Sequence, residues 1–386
     1  MRLIHAAALT LILCAAGMGC KKNATAASST GDIVIGEFAS MTGGTAAFGT
    51  SSHDGLLLAI EQANNAGGVL GRKIKLVTAD DRSDVNEAVT AVQKLINSDG
   101  AVAIIGEVAS KRSLAGGAIC QRYKVPMLSP ASTNPAVTVE DGKVKPWVFR
   151  ICFTDDFQGS ADGKFAADKG WKRIAVLTDV DEDYSKGLSK FFKLAFASHG
   201  EIVADESYRN SDRDFQSQLT RIAEKHPDAI YIPGYYTELK LIATQAASIG
   251  LKVPLFGGDG WDSPETVASD ATQGDFYSDH YSGDDPSPRV QDFIKTFDAR
   301  FGEKPGAMAV LGYDAGKVII DAIQRGGKAD PASIRDALAT TRDFPGVSGS
   351  ITIDADHNAR KSLVMLEIKD HAAHLVKTYT PDEVEK

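Results

Sequence analysis

The sequence lacks most of the features that would fix a chemistry at once. Its 386 residues include only four cysteines, three tryptophans and eight histidines. It has no block of Lys and Arg, and 42 basic residues stand against 51 acidic ones for a net charge of −9. Phosphate contacts need clustered cations, so no nucleic-acid partner is expected. No segment beyond the N-terminal twenty residues approaches the roughly 18 consecutive apolar positions of a spanning helix. No phosphate-binding G-x-x-x-x-G-K-[ST], no H-E-x-x-H and no G-x-S-x-G is present. The doublets Gly43-Gly44, Gly67-Gly68 and Gly116-Gly117 do not extend to G-x-G-x-x-G after a strand. A catalytic triad need not be sequential, yet nothing in the chain supports an enzyme, and no cofactor or metal is expected.

Two acidic runs fail as calcium loops. Asp179-Val180-Asp181-Glu182-Asp183 is followed by Tyr184 where the loop needs Gly, and Lys190 stands where it needs Glu. Asp354-Ala355-Asp356-His357-Asn358 fails likewise, with Ala359 and Met365 at those places. Both read as acidic turns. His371 and His374 have no third ligand and read as a solvated pair.

What is present at the N-terminus is an export signal. Arg2 precedes an apolar stretch from Leu3 to Ala16 that is too short to span a bilayer. Gly17-Met18-Gly19-Cys20 resembles a bacterial lipobox, with Gly17 where that motif usually carries Leu. This reading makes 1–19 a signal peptide, Cys20 the lipidated first residue of the mature chain, and 20–31 a polar tether to the membrane. Ordinary cleavage near Ala24-Thr25-Ala26, releasing a free protein, is the alternative. Cys120 and Cys152 remain. They could pair in an oxidising compartment or stay as buried small apolar residues, and the sequence leaves both open.

The remainder has ordinary globular composition, 43% hydrophobic and 24% charged, and a length that suggests two domains. Short apolar runs alternate with segments of helical period. Ile33–Ile35, Ile74–Val77, Ala101–Ile105 and Val125–Leu128 read as strands. Leu56, Ala59, Ile60 and Ala63 share one helix face, as do Val85, Val89, Val92 and Ile96. Lys111–Tyr123 is a further helix. The alternation restarts after Arg150, with strands at Ile174–Leu177, Ala229–Ile232 and Val253–Phe256. Helices are expected at Gln158–Asp168, Tyr184–Ser198, Phe215–Glu224 and Glu238–Ile249. Near-continuous apolar strands between helices imply parallel sheets covered on both faces, hence an α/β chain of two doubly wound lobes. The tail returns to helices at Arg289–Phe301, Ala309–Gln324 and Pro331–Thr340. It closes with an expected hairpin of Gly349–Ile353 and Leu363–Ile368. In such folds ligands lie outside the carboxyl ends of the strands.

Several loops resemble a known family. The run from Gly36 to Gly55 leads into Ala59-Ile60-Glu61-Gln62-Ala63-Asn64-Asn65-Ala66-Gly67-Gly68-Val69-Leu70-Gly71-Arg72-Lys73. With Asp80-Asp81, Ile105-Gly106-Glu107 and Ser129-Pro130-Ala131-Ser132-Thr133-Asn134-Pro135, it is similar to the periplasmic leucine/isoleucine/valine-binding proteins. Those are extracytoplasmic receptors of branched-chain amino-acid ABC transporters, with the type I periplasmic binding protein fold. The resemblance runs from about Asp32 to about Val376. It implies two lobes joined by three crossover segments and closing on an α-amino acid. Residues 32–151 and 283–346 would form lobe 1, and 152–282 and 347–380 lobe 2.

The resemblance also assigns a site. Ser110 matches the hydroxyl that binds the ligand carboxylate, and Ala131 and Thr133 match positions that grip carboxylate and ammonium. Tyr184 and Tyr235 match two aromatic hydroxyls, Asp259 the acid that pairs with the ammonium, and Phe48 an aromatic wall. A helix N-terminus with a hydroxyl suits a carboxylate. An acid suits an ammonium, and aromatic walls suit an aliphatic side chain. Each residue also has a plain structural reading: Ser110 as a helix cap, Thr133 and Asp259 in turns, Tyr184 as packing. Asp259 stands where the best-known members have Glu, so the ammonium would sit deeper or be bridged by water. Glu107 and Trp261 are expected beside the site. The family's bridge cysteines are replaced here by Ser83 and Ala109. The expected function is capture of an α-amino acid, branched-chain or small and apolar, for a membrane permease. A sensory module of the same fold and a receptor for another amino acid or an amide are the alternatives. A monomer is expected.

Overall fold

A computed structural model describes residues 31–384. The expected signal peptide, Cys14, Cys20 and all but the last residue of the expected tether lie outside the described residues. No helix among the described residues is long and apolar enough to cross a membrane.

The chain begins with β1 (Ile33–Ala39), α1 (Ala46–Asn65), β2 (Ile74–Asp80), α2 (Val85–Asn97), β3 (Ala103–Ile105), α3 (Ser110–Tyr123) and β4 (Met127–Ser129). A short ribbon of β5 (Val139–Glu140) and β6 (Lys143–Val144) leads to β7 (Val148–Arg150). These strands make one parallel sheet in the order β2-β1-β3-β4-β7. Strands β3, β4 and β7 are buried throughout, as expected of a parallel sheet covered on both faces. At the N-terminus of α2 the Asp84 carboxylate caps the helix, accepting from the N–H groups of Asn86 and Glu87.

The chain then leaves this sheet for α4 (Asp155–Asp168), β8 (Arg173–Asp179), α5 (Asp183–Phe196), β9 (Glu201–Tyr208), α6 (Gln216–Ala223), β10 (Ala229–Tyr231), α7 (Tyr236–Ser248), β11 (Leu255–Gly257), α8 (Pro264–Val267) and β12 (Phe276–Asp279). It returns through α9 (Pro288–Phe301), α10 (Ala307–Gly326) and α11 (Pro331–Ala339); α9 and α10 pack on α1 of the first lobe, and α11 packs on α10. A ribbon of β13 (Phe344–Gly346) and β14 (Gly349–Ile351) follows, then β15 (Leu363–Lys369), β16 (Ala372–Tyr379) and α12 (Pro381–Val384). The second sheet runs β16-β15-β12-β11-β10-β8-β9. Three segments therefore join the lobes: after β7, after β12, and between β14 and β15.

Two expectations are corrected. Gly349–Ile353 does not pair with Leu363–Ile368: β14 pairs with β13, whereas β15 lies antiparallel between β12 and β16. The Asp354–Asn358 run bends the chain between lobes, with the Asp354 carboxylate accepting from Asp356 and Asn358 N–H groups. The second sheet is accordingly mixed rather than wholly parallel. Strand β9 was not expected because its burial is broken by exposed Glu201, Asp205 and Ser207, and β12 because it is short and half polar. The turn between β13 and β14 is held on the first lobe, with the Asp314 carboxylate of α10 accepting from Val347 and Ser348 N–H groups. Cys120 and Cys152 are both free and buried.

Candidate functional site

The carboxyl ends of β3, β4, β10 and β11 face one another across the junction of the two lobes. Val108, Ala131 and Thr133 come from the loops after β3 and β4. Tyr184 comes from the first turn of α5, Tyr235 from the loop after β10, and Asp259 and Gly260 from the loop after β11. Phe48 of α1 and Met308 of α10 complete the wall. Six of the seven residues assigned from the sequence thus line one cavity. Ser110 does not. It is the first residue of α3, and its hydroxyl accepts from the Asn134 N–H at 3.2 Å, just behind Thr133.

Asp259 anchors the second-lobe side. It is 3% exposed, and its Oδ1 accepts from the Tyr184 hydroxyl and the Gln158 amide, each at 2.9 Å. Its Oδ2 lies 3.0 Å from Nε2 of His280. Burial lowers the His280 pKa, opposed by the Asp259 hydrogen bond, so the imidazole is neutral at pH 7 and donates through Nε2–H. Three of the four lone-pair directions of the carboxylate are then used, leaving one open. The Tyr184 hydroxyl also accepts from the Gly260 N–H at 3.1 Å. A side chain at Gly258 would bring its Cβ to 2.4 Å from that hydroxyl, so the Gly-rich loop around Asp259 is what lets Tyr184 reach the acid.

The aromatic side is equally built. Tyr184 and Tyr235 stack with centroids 5.1 Å apart, and Phe48 meets Tyr235 edge-on at 5.5 Å. Thr133 Oγ1, the Tyr235 hydroxyl, Gln158 Oε1 and His280 Nδ1 are buried without hydrogen-bond partners. Such groups are costly in a closed interior; Thr133 and Tyr235 line the cavity, and Gln158 and His280 hydrogen-bond the Asp259 that also lines it. Asp155, first residue of α4, is also buried with no hydrogen bond to its carboxylate, and burial pushes its carboxyl well above the usual range.

The cavity itself measures about 10 Å³, room for about one water molecule. The lobes are apposed around it by direct contacts. The Tyr236 hydroxyl donates to the Gly44 carbonyl at 3.0 Å and accepts from the Ala47 N–H at 3.2 Å. Lys111 donates to the Asp181 carbonyl at 3.0 Å, and Asn134 to that of Asp183 at 2.8 Å. The Asp262 carboxylate, from the second lobe, accepts from the Met308 N–H at 3.3 Å in the first turn of α10.

Glu107 and Trp261 do not line the cavity. Glu107 is turned into lobe 1, accepting from Ser40 at 3.0 Å and facing Arg112 at 3.3 Å. Trp261 is fully buried and donates to the Ile232 carbonyl at 3.0 Å. Conversely, Met308, Gln158 and His280 were not expected. They stand on segments with no motif; only the i, i+4 spacing of the buried polar residues Gln158 and Asp162 marks that face of α4. The run Asp179–Asp183 is a turn, in which Asp179 accepts from the Asp181 N–H and Asp181 pairs with Arg209 at 2.7 Å. Among the described residues no group of three His, Cys, Asp or Glu side chains is placed to hold a metal.

The chain matches the family model described as periplasmic binding protein over residues 32–373. It is 30% identical over 319 residues to a leucine-, isoleucine-, valine-, threonine- and alanine-binding protein of Pseudomonas aeruginosa, spanning 81% of this chain and 83% of that one. The crystal structure of a leucine binding protein from Thermotoga maritima is 40% identical with a TM-score of 0.86, covering 91% of this chain and 99% of that one. A solute binding protein of an ABC transporter from R. palustris, solved with benzoate, is 28% identical with a TM-score of 0.82, covering 91% and 97%. With two α/β lobes, three connecting segments and a cavity at the strand ends between them, the chain belongs to the periplasmic leucine/isoleucine/valine-binding protein family.

Proposed function

We propose that this protein captures an α-amino acid between its lobes and presents it to the permease of an ABC transporter. The observation that carries the reading is Asp259: a buried carboxylate held by three donors, with one acceptor direction left, facing unpaired hydroxyls across the cavity. A zwitterion meets both ends. Its ammonium pairs with Asp259, and its carboxylate accepts from Thr133 and from donors around the start of α3. Phe48, Tyr235, Val108 and Met308 would enclose a branched-chain or small apolar side chain. Ser110 would act from behind Thr133 rather than by direct contact.

A cavity of about 10 Å³ cannot admit a leucine-sized molecule, so the lobes must part for entry. The interlobe hydrogen bonds would re-form around the ligand, which stabilises the closed state through contacts to both lobes. Nothing in this cycle makes or breaks a covalent bond. Export, and anchoring through Cys20, would place the receptor outside the cytoplasm beside its permease. An aromatic acid such as the benzoate bound by the R. palustris protein offers no cation to Asp259 and fits less well.

Thermal melting against the twenty amino acids, urea, short amides and benzoate tests the reading. A cognate ligand at a hundredfold excess over Kd stabilises by about 2.7 kcal/mol. A shift with amino acids alone supports the proposal. A shift only with ligands lacking an ammonium overturns it.

A further inference from the structure

A second cavity, of about 300 Å³, lies on the first lobe away from the cleft, between α9 and α10 and closed at one end by β13. Its volume falls in the range of small-molecule sites. Arg289 on α9 and Lys317 on α10 bring two cations to it, and Phe293, Tyr313 and Phe344 supply aromatic surface. Phe293 and Tyr313 meet at 4.8 Å with their planes 52° apart, which fixes one wall.

Two cations reach this cavity. Two arginines on the same helices are instead ion-paired: Arg300 is bidentate to Glu61 at 2.9 Å on both arms, and Arg325 meets Asp321 at 2.6 Å. Arg289 donates from Nη1 to the Gly346 carbonyl at 3.2 Å, which holds the guanidinium against β13. Among the described residues Lys317 meets no carboxylate within ion-pair distance; its ammonium lies 5.6 Å from the centre of the Tyr313 ring. One exposed acid, Asp292, stands on the rim. The Asp314 carboxylate is buried and already accepts from the N–H groups of Val347 and Ser348 and from the Ser348 hydroxyl. The lining thus carries two cations, one exposed acid and one buried acid whose oxygens are already hydrogen-bonded, over aromatic faces. Guanidinium and ammonium groups hold a carboxylate by charge-assisted hydrogen bonds, and aromatic walls accept a planar ring.

We propose that this cavity is a second ligand site, separate from the interlobe cleft, and that it takes a small aromatic carboxylate. The test uses 2-naphthoate as probe and its neutral amide as control, titrated into the purified protein by calorimetry. The expected result is binding of the acid and none of the amide, weakened about tenfold or more by Lys317→Met and by Arg289→Met. The same affinity is expected in Asp259→Ala and in protein saturated with its amino acid. Lys317→Met is expected to keep both its melting temperature and its amino-acid affinity, which separates this site from the cleft. Absence of binding at millimolar acid, equal binding of the amide, competition by the amino acid, or insensitivity to both substitutions would each overturn the proposal.

Discussion

The imidazole of His280 lies 3.0 Å from the carboxylate of Asp259, wholly inside the protein and stacked on Phe153 at 3.7 Å. The ring thereby fixes the acid that faces the cavity, in the way an outer partner orients a binding group. His280→Leu removes that donor without adding bulk to the cavity. Amino-acid affinity is expected to fall about tenfold to a hundredfold, at about 1.5–3 kcal/mol for a hydrogen bond to a charged group. Titration calorimetry reads it, and unchanged affinity would mean that Asp259 needs no such support.

The Tyr236 hydroxyl bridges the lobes without lining the cavity. Tyr236→Phe removes its bonds to Gly44 and Ala47 and keeps the ring that packs on Phe48 at 4.8 Å. Loss of about 1 kcal/mol from the closed form should raise Kd about fivefold. Small-angle scattering should show a larger radius of gyration in the variant at subsaturating ligand.

A pH effect follows from Asp162. This α4 carboxyl is buried and accepts from the Tyr231 hydroxyl at 2.7 Å, and burial raises its pKa to about 8 against that hydrogen bond. The unfolded value is about 3.9, so across that window the folded chain holds a proton that the unfolded chain has released. Stability therefore declines as pH rises from about 4 to about 8 and stays reduced above it. Asp162→Asn cannot ionise and is expected to melt higher than the wild type at about pH 9, by on the order of a few kcal/mol, with no gain near pH 4. Melting curves at the two pH values check the sign.

Cys120 and Cys152 are both inaccessible, and burial raises both thiol pKa values, that of Cys152 to about 12. Since the thiolate is the reactive form, neither should react with a thiol reagent in the native protein. Both should react after denaturation without reductant. A native disulfide would instead leave them silent in both states.

The parts of the fold that were legible in the sequence are those with one-sided or continuous burial. Strands such as Ala103–Ile105 and Ala229–Tyr231 are buried along their whole length and stand between periodic helices, so pattern alone located them. Strands β9 and β12 carry polar residues that serve the sheet edge and the hinge, and pattern alone passed over them. The pairing of β14 was misread because the Asp354–Asn358 turn resembles a hairpin loop, while the Asp314 carboxylate holds the strand to another partner. Of the residues that the resemblance assigns, Phe48, Ala131, Thr133, Tyr184, Tyr235 and Asp259 line the cavity. His280 and Gln158 hydrogen-bond Asp259, a proximity across residues 158, 259 and 280 that only the three-dimensional structure shows. Glu107 was misplaced for the same reason: its partner Arg112 turns it away from the cavity.

The most direct measurement compares the amino acid that most raises the melting temperature with its deaminated analogue, for leucine 4-methylpentanoate, on the wild type and Asp259→Ala. The account predicts that the wild type prefers the amino acid by a factor of about a hundred or more, since an unpaired buried charge costs about 3–5 kcal/mol. The variant is predicted to lose that preference. Equal binding of the two ligands by the wild type, or an undiminished preference in Asp259→Ala, would contradict it.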